Sequence, residues 1–321
     1  MPLEPTLAAR LPLLDDLTTW DPQDPKDVAR IRQWERDTEP YEGPDVPTRD
    51  VQLTAGASHF RVRVYGAGAG TDPCLVWVHG GAFAFGDLEM NEADLVSREL
   101  VARTGGVVVS VDYSLVPHVT YPVPHRQVAA AVRWAVEHAA ELGVDPRRVS
   151  LGGASAGGAL SLAAARELHA AGGVEPACLV LAYPVAHHRW RTDPEQERLM
   201  TGLPPLVRFP PEAIAGINDD YVASHDDPRW AFVDLDPDGP VAAVTGLPPA
   251  LVLVCEYDDL RTSAELLVEQ AADAGWPVER RLCAGMLHGH LNRTPVLDEV
   301  AASLDAIARV VREGTIDSRR V

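Results

Sequence analysis

The run Arg148-Val149-Ser150-Leu151-Gly152-Gly153-Ala154-Ser155-Ala156-Gly157-Gly158, continued by Ala159-Leu160-Ser161-Leu162-Ala163-Ala164-Ala165, decides the fold. A short apolar stretch of strand length passes through a glycine-flanked serine into an alanine-rich helical stretch. A serine hydroxyl is a poor nucleophile in water, so a protein that uses one presents its oxygen at a sharp strand-to-helix turn. Glycines two residues to either side remove side chains that would clash there. Gly153 and Gly157 hold those two places, which makes Ser155 the candidate nucleophile. The positive N-terminal end of the following helix would face a developing oxyanion. Alone, G-x-S-x-G is a weak signal, because chains rich in alanine, glycine and serine produce it by chance.

Upstream, the apolar run Cys74-Leu75-Val76-Trp77-Val78 ends in His79-Gly80-Gly81-Ala82-Phe83. A glycine pair at the end of a buried strand ahead of the serine is where an oxyanion loop belongs. Attack on an acyl carbon leaves a full negative charge on the former carbonyl oxygen. Backbone N–H groups fixed in advance stabilise it by roughly 3 kcal/mol per donor. The expected donors are the amides of Gly80, Gly81 and Ala156, with His79 as a structural anchor of the loop. The plainer alternative is that Gly80-Gly81 only turns the chain after a strand.

Downstream, the acid and the base should follow in that order, each after its own strand. Ala250-Leu251-Val252-Leu253-Val254-Cys255 runs into Glu256-Tyr257-Asp258-Asp259-Leu260, and Val278-Glu279-Arg280-Arg281-Leu282-Cys283 leads to Gly285-Met286-Leu287-His288-Gly289-His290. Asp258 is the expected acid and His288 the expected base. Asp259 and Glu256 compete with Asp258, because one residue of slip at a strand end decides which carboxylate points at the imidazole.

These motifs in this order make the chain resemble the hormone-sensitive-lipase-like esterases (bacterial lipase family IV) of the α/β-hydrolase superfamily, from about Pro44 onward. The resemblance rests on the H-G-G loop at His79, Asp112-Tyr113-Ser114-Leu115-Val116-Pro117, the S-A-G-G elbow at Ser155, Tyr257 to Arg261, and Gly285 to Gly289. It implies an α/β-hydrolase fold, with a mostly parallel eight-stranded sheet, helices on both faces and a helical cap. It also implies a serine carboxylesterase acting through an acyl-serine intermediate, on esters of short to medium acyl chain, without a cofactor. The first aspartate of the acid segment is catalytic in that pattern, which favours Asp258, and the first two glycines after His79 donate to the oxyanion. The chain departs from the pattern at Ala82, His118, Ala154, Asp259 and His290, where the family usually has a glycine, a glutamate, an acidic or hydroxyl residue, a proline and an aromatic.

The rest of the chain reads as alternating strands and helices, the mark of a mostly parallel sheet covered on both faces. Strands are expected around Phe60 to Val64, Cys74 to Val78, Val107 to Val111, Val149 to Leu151, Cys178 to Leu181, Leu251 to Cys255 and Val278 to Leu282, and a helix over Arg126 to Leu142. Two regions break the alternation. Residues 1–45 carry Trp20, Trp34 and Tyr41 among prolines and form an expected N-terminal cap segment; residues 46–321 form the catalytic domain, with a cap insertion over about 186–247. Long connections without strands are usually functional. Phe83, Leu206, Phe209 and His290 are the expected substrate-binding residues.

Composition narrows the classes. With 321 residues, 46% of them hydrophobic, the chain can bury one large core. A formal charge of -19 disfavours nucleic acid, since an acidic surface repels phosphates. No stretch reaches the roughly 18 apolar residues of a membrane span, and the first residues lack a signal-peptide pattern, so a cytoplasmic location is expected. Cys74, Cys178, Cys255 and Cys283 lie in apolar runs and are expected as core residues rather than disulfides. His187-His188 and His288-x-His290 lack Cys or carboxylate partners at zinc-site spacing, so no metal is assigned. His59, His125, His138, His169 and His225 are expected on the surface or cap. The expected partner is a small-molecule ester, with no nucleic acid and no membrane; a homodimer is an open alternative that the sequence does not decide. An amidase, lactonase or other acyl hydrolase would use the same residues; a non-catalytic ligand-binding receptor on this fold would have lost the histidine that this chain keeps at His288.

Overall fold

A computed structural model describes residues 2–18, 24–35 and 40–317; Trp20 lies outside them. The N-terminal segment forms α1 (Pro5–Arg10) and α2 (Pro25–Glu35), both opened by prolines at the first helical turn, where a missing N–H costs nothing. The body starts with a hairpin of β1 (Thr48–Ala55) and β2 (Ser58–Tyr65), joined through Gly56 and Ala57 alone. It continues through β3 (Asp72–Val78), α3 (Asp94–Thr104), β4 (Val107–Asp112), α4 (Val123–Glu137), α5 (Ala139–Leu142), β5 (Val144–Ala154), α6 (Ala156–Ala171) and β6 (Leu179–Ala182). Between β6 and the next strand lie α7 (Pro194–Met200), α8 (Pro211–Val222) and α9 (Pro240–Val244). The chain ends with β7 (Ala250–Tyr257), α10 (Arg261–Ala274), β8 (Val278–Leu287) and α11 (Asp298–Glu313).

The eight strands form one sheet in the order β1-β2-β4-β3-β5-β6-β7-β8, antiparallel through β1-β2-β4 and parallel from β4 to β8. Successive side chains of a strand face opposite sides, so β3 sends Val76 and Val78 into one core and Leu75 and Trp77 into another. The first core is completed by α4, α6 and α10 through residues such as Val132, Leu160 and Leu267; the second by α3 and α11 through Leu100, Leu304 and Ile307. After β3 the chain crosses to β4 on one side, and β5 lies on the other. The reversal leaves a crevice at the C-terminal ends of β3 and β5, the usual ligand position in an open α/β sheet.

The eight-stranded, mostly parallel α/β architecture matches the expectation. β1 was not foreseen, because it buries only one side: Val51, Leu53 and Ala55 are half-buried while Gln52 and Thr54 are exposed. The helix expected over Arg126 to Leu142 starts three residues earlier, and it breaks at His138 into α4 and α5.

Candidate active site

Ser155 occupies the turn between β5 and α6 with φ 54° and ψ -119°, a left-handed backbone that a non-glycine residue adopts only when its surroundings impose it. Its own N–H donates to Ala182 O at 2.8 Å, pinning the turn to the end of β6. The flanking glycines are there for space. A Cβ on Gly153 would lie 2.4 Å from Gly157 O, and one on Gly157 would lie 2.2 Å from Val78 O, so a side chain at the first would push α6 away from β5 and at the second away from β3.

Asp258 follows directly on β7 and His288 directly on β8, and the pairing of these two strands carries both side chains to the elbow. His288 Nδ1 lies 2.7 Å from Asp258 Oδ2, and its Nε2 lies 2.9 Å from Ser155 Oγ. A carboxylate accepts only, so Nδ1 carries the proton and the Nε2 lone pair faces the serine hydroxyl. Asp258 is held in turn: its Oδ1 accepts from Leu260 N–H at 2.9 Å, and its carbonyl accepts from Gln196 Nε2 at 2.8 Å. Burial opposes a charged His288, but the charge and hydrogen bond of Asp258 outweigh it and raise the imidazole above its ordinary value.

Asp259 faces elsewhere, accepting from Arg208 and from the Phe209 N–H. Glu256 accepts from the Gly285 N–H at 2.7 Å. Among the three competing carboxylates, Asp258 is the one hydrogen-bonded to the imidazole.

The loop after β3 corrects one expectation. The Gly80 N–H is already engaged, donating to Glu92 Oε2 at 2.6 Å, and cannot also serve an oxyanion. The amides of Gly81, Ala82 and Ala156 make no hydrogen bond to a described residue. The loop runs against the nucleophile, since a Cβ on Gly80 would sit 3.2 Å from Ser155 Cβ. The Gly80 carbonyl accepts from His79 Nδ1 at 2.7 Å and from the Tyr113 hydroxyl at 3.0 Å, and the two rings stack at 4.6 Å. The strand-end histidine and the Asp112-Tyr113-Ser114 segment therefore fix the same peptide.

Glu92 is a site residue that the sequence reading missed. Fully buried, it accepts from Gly80 N–H, from the Tyr183 hydroxyl at 2.6 Å and from Asn292 Nδ2 at 3.2 Å. One carboxylate thus ties the loop after β3 to the end of β6 and to the turn after His288. Burial makes it a weaker acid, raising its pKa above the ordinary carboxylate value against the opposing pull of the Tyr183 and Gly80 hydrogen bonds. Its only sequence signal was an acid twelve residues past Gly80, in a polar stretch that resembles a solvent-facing loop.

A cavity of about 540 Å³ opens beside His288, with Leu7, Trp34, Leu206, Val207 and Phe209 in its wall and Asn292 among its polar members. Leu206 and Phe209 thus stand where substrate contacts were expected, and the Phe209 ring centroid is 4.8 Å from that of His288. His290 borders the cavity, but both its nitrogens are engaged, Nδ1 with Cys255 Sγ at 3.2 Å and Nε2 with Ser303 Oγ at 2.9 Å. With both nitrogens so engaged and only 2% of the residue exposed, it offers the cavity no free polar atom and is corrected to a core residue; burial also holds its pKa down, at about 3. Phe83 is likewise a core residue, 1% exposed and stacked on Tyr221 at 4.2 Å.

Other expectations sort similarly. His125 is fully buried rather than superficial, with Nε2 at 2.7 Å from Glu167. His187 bridges Ser263 and Gln270, while His188 faces Asp219. His118 is exposed, whereas Ala154 is buried under the elbow. All four cysteines are free and buried.

Comparison with known proteins bears on this geometry. A family model for the α/β-hydrolase fold matches residues 75–292, more than half of the chain. The carboxylesterase NlhH of Mycobacterium tuberculosis is 32% identical over 295 residues, covering 90% of both chains. The ethyl acetate hydrolase of Pseudomonas putida is 28% identical over 279 residues, covering 82% of each. A hyperthermophilic esterase from the archaeon Pyrobaculum calidifontis superposes with a TM-score of 0.79 at 28% identity, over 98% of this chain and 99% of that one.

Proposed function

The chain belongs to the α/β-hydrolase family, among its hormone-sensitive-lipase-like esterases, and from that premise we propose that Ser155 is its nucleophile, His288 its general base and acid, and Asp258 the residue that orients the histidine. The protein is a carboxylic ester hydrolase. The observation that carries the residue assignment is the unbroken line of hydrogen bonds from Asp258 through His288 to Ser155, at 2.7 and 2.9 Å.

In the first half-reaction Ser155 Oγ bonds to the acyl carbon as its proton passes to His288 Nε2. The carbonyl π pair moves onto oxygen, giving a tetrahedral oxyanion. The amides of Gly81, Ala82 and Ala156 receive that charge, and the N-terminal end of α6 adds its dipole. Collapse re-forms the carbonyl, breaks the bond to the alcohol oxygen and returns the proton from His288 to that oxygen. Water then repeats the sequence on the acyl-serine, releasing the acid and restoring the hydroxyl. Asp258 holds the productive tautomer and stabilises the imidazolium formed in each half.

The segments over residues 1–45 and 186–247 serve as a cap, supported by the contribution of Leu7, Trp34, Leu206 and Phe209 to the wall beside His288. Short to medium acyl esters are the proposed substrates, a reading to which the ethyl acetate hydrolase lends support.

The test pairs a fluorophosphonate serine probe with hydrolysis of p-nitrophenyl acetate. The wild type should label at Ser155 and turn over; Ser155→Ala should lose labelling and about 10⁶-fold in kcat while keeping its melting temperature. A Ser155→Ala protein that still turns over at a comparable rate overturns the assignment.

A further inference from the structure

The two neighbouring acids after β7 face in opposite directions, and the second is bound to the cap. Asp259 is nearly buried, and Arg208 grips it with a two-pronged contact: Nε to Oδ2 at 2.9 Å and Nη2 to Oδ1 at 3.0 Å. Oδ2 also accepts from the Phe209 N–H at 2.7 Å. The same guanidinium reaches back through Nη1 to the carbonyl of Met200 at 3.2 Å, closing the turn between α7 and α8. A planar fork on a carboxylate fixes direction as well as distance. The turn is stiffened further by Pro204-Pro205 within it and by Pro210-Pro211 at its end.

What that turn presents is the wall of the site. Leu206, Val207 and Phe209 line the cavity, and Phe209 packs against the His288 ring. The stereochemistry of the reaction says which half of the ester meets this wall. His288 Nε2 must hand its proton to the leaving oxygen, so the alcohol portion lies on the histidine side, where the cavity is. The remainder of the lining is mixed, apolar on Leu7, Trp34 and Met90 and polar on Glu35, Glu89, Asn91, Asn292 and Arg293.

We infer that Asp259 is a specificity-determining positioning residue, which through Arg208 and the Phe209 amide sets the Leu206 to Phe209 wall against a bulky, apolar alcohol group of the substrate. This deepens the ester-hydrolase reading and rests on it.

The test compares kcat and KM for 2-naphthyl acetate and ethyl acetate, which share an acyl group and differ only in the alcohol. Asp259→Ala should lower the ratio of kcat/KM, naphthyl over ethyl, by about tenfold, the scale on which a hydrophobic pocket discriminates. The loss should fall mainly in KM for the naphthyl ester. Asp259→Asn, which keeps an acceptor for the Phe209 N–H, should shift the ratio by less. Should Asp259→Ala fail to fold, Asp259→Asn combined with Arg208→Met removes the fork without leaving a buried charge unpaired and must move the ratio in the same direction, further than Asp259→Asn alone. Parallel losses on both esters, or an unchanged ratio, would make the clamp merely structural and overturn the inference. A wild-type protein that hydrolyses neither ester would instead bring down the functional reading beneath it.

Discussion

The body and the segments that cover it are held by different means. At the ends of β3 and β5, position is fixed by backbone and by absent side chains: Gly153 and Gly157 leave no room for a Cβ, the Ser155 amide is bonded to Ala182, and two rings converge on the Gly80 carbonyl. The cover shares a few backbone bonds with the body, Glu4 N–H to Gly285 O at 2.9 Å and Tyr121 N–H to Tyr221 O at 2.8 Å, and adds side-chain fastenings to them. Arg166 on α6, itself buried, reaches the carbonyls of Arg229, Trp230 and Ala243 and the carboxylate of Asp236; Arg208 reaches Asp259; and Arg293 reaches the Trp34 carbonyl, with its guanidinium 4.6 Å from the Trp34 ring centroid. A backbone constraint tolerates almost no substitution, whereas a side-chain fastening can be exchanged one residue at a time. On the proposed assignment, the chemistry sits where backbone packing fixes position, and the contacts proposed to choose the substrate sit where side chains can be exchanged.

The largest test of that division uses the adjacent acids. Asp258→Asn, on the body side, should lower kcat by about 10⁴-fold, since the amide cannot hold the productive tautomer. Asp259→Asn, on the cover side, should cost far less on a small ester. Equal losses in steady-state kinetics on p-nitrophenyl acetate would erase the distinction. Glu92 comes next. Glu92→Ala removes the acceptor of Gly80 and frees the loop before Gly81, so kcat should fall about 10²-fold with KM little changed, the scale of a small misplacement of a reacting group. A change confined to KM would assign Glu92 to the cover instead.

The smallest effect is electrostatic. His288 acts as a base only when neutral, so activity is lost as pH falls through its pKa. Because that pKa is raised, the acid limb of kcat/KM should have its midpoint above the unperturbed value of 6.5. A midpoint at or below 6.5 would mean that burial, to which the cover contributes, outweighs the charge of Asp258.

Legibility in the sequence follows the same line. The elbow, the glycine loop and the order of acid and histidine could be read because each needs particular residue types at fixed spacing beside an apolar strand. The engagement of the Gly80 amide is not legible, because a motif fixes which residues form a loop but not which amide turns inward, and here that depends on Glu92, twelve residues on in a stretch with no pattern of its own. Phe83 and His290 were drawn to the substrate by proximity to the site, although their neighbours Tyr221, Cys255 and Ser303 enclose them. β1 escaped notice because a strand at the sheet edge with one wet face carries little apolar signal. The cover could be located by its prolines and length, but not its fastenings, since an arginine pairing across some fifty residues leaves no local trace.

The conformation of Ser155 has a consequence beyond reactivity. A backbone held at φ 54° and ψ -119° costs about 1–3 kcal/mol that the surrounding packing must offset, so the resting protein is wound tight at its proposed nucleophile. Selection for robustness would relax that coil and selection for turnover preserves it. Any effort to harden this molecule against heat will find that its softest gains lie elsewhere, along the sheet and the surface, and that the elbow must be left under tension.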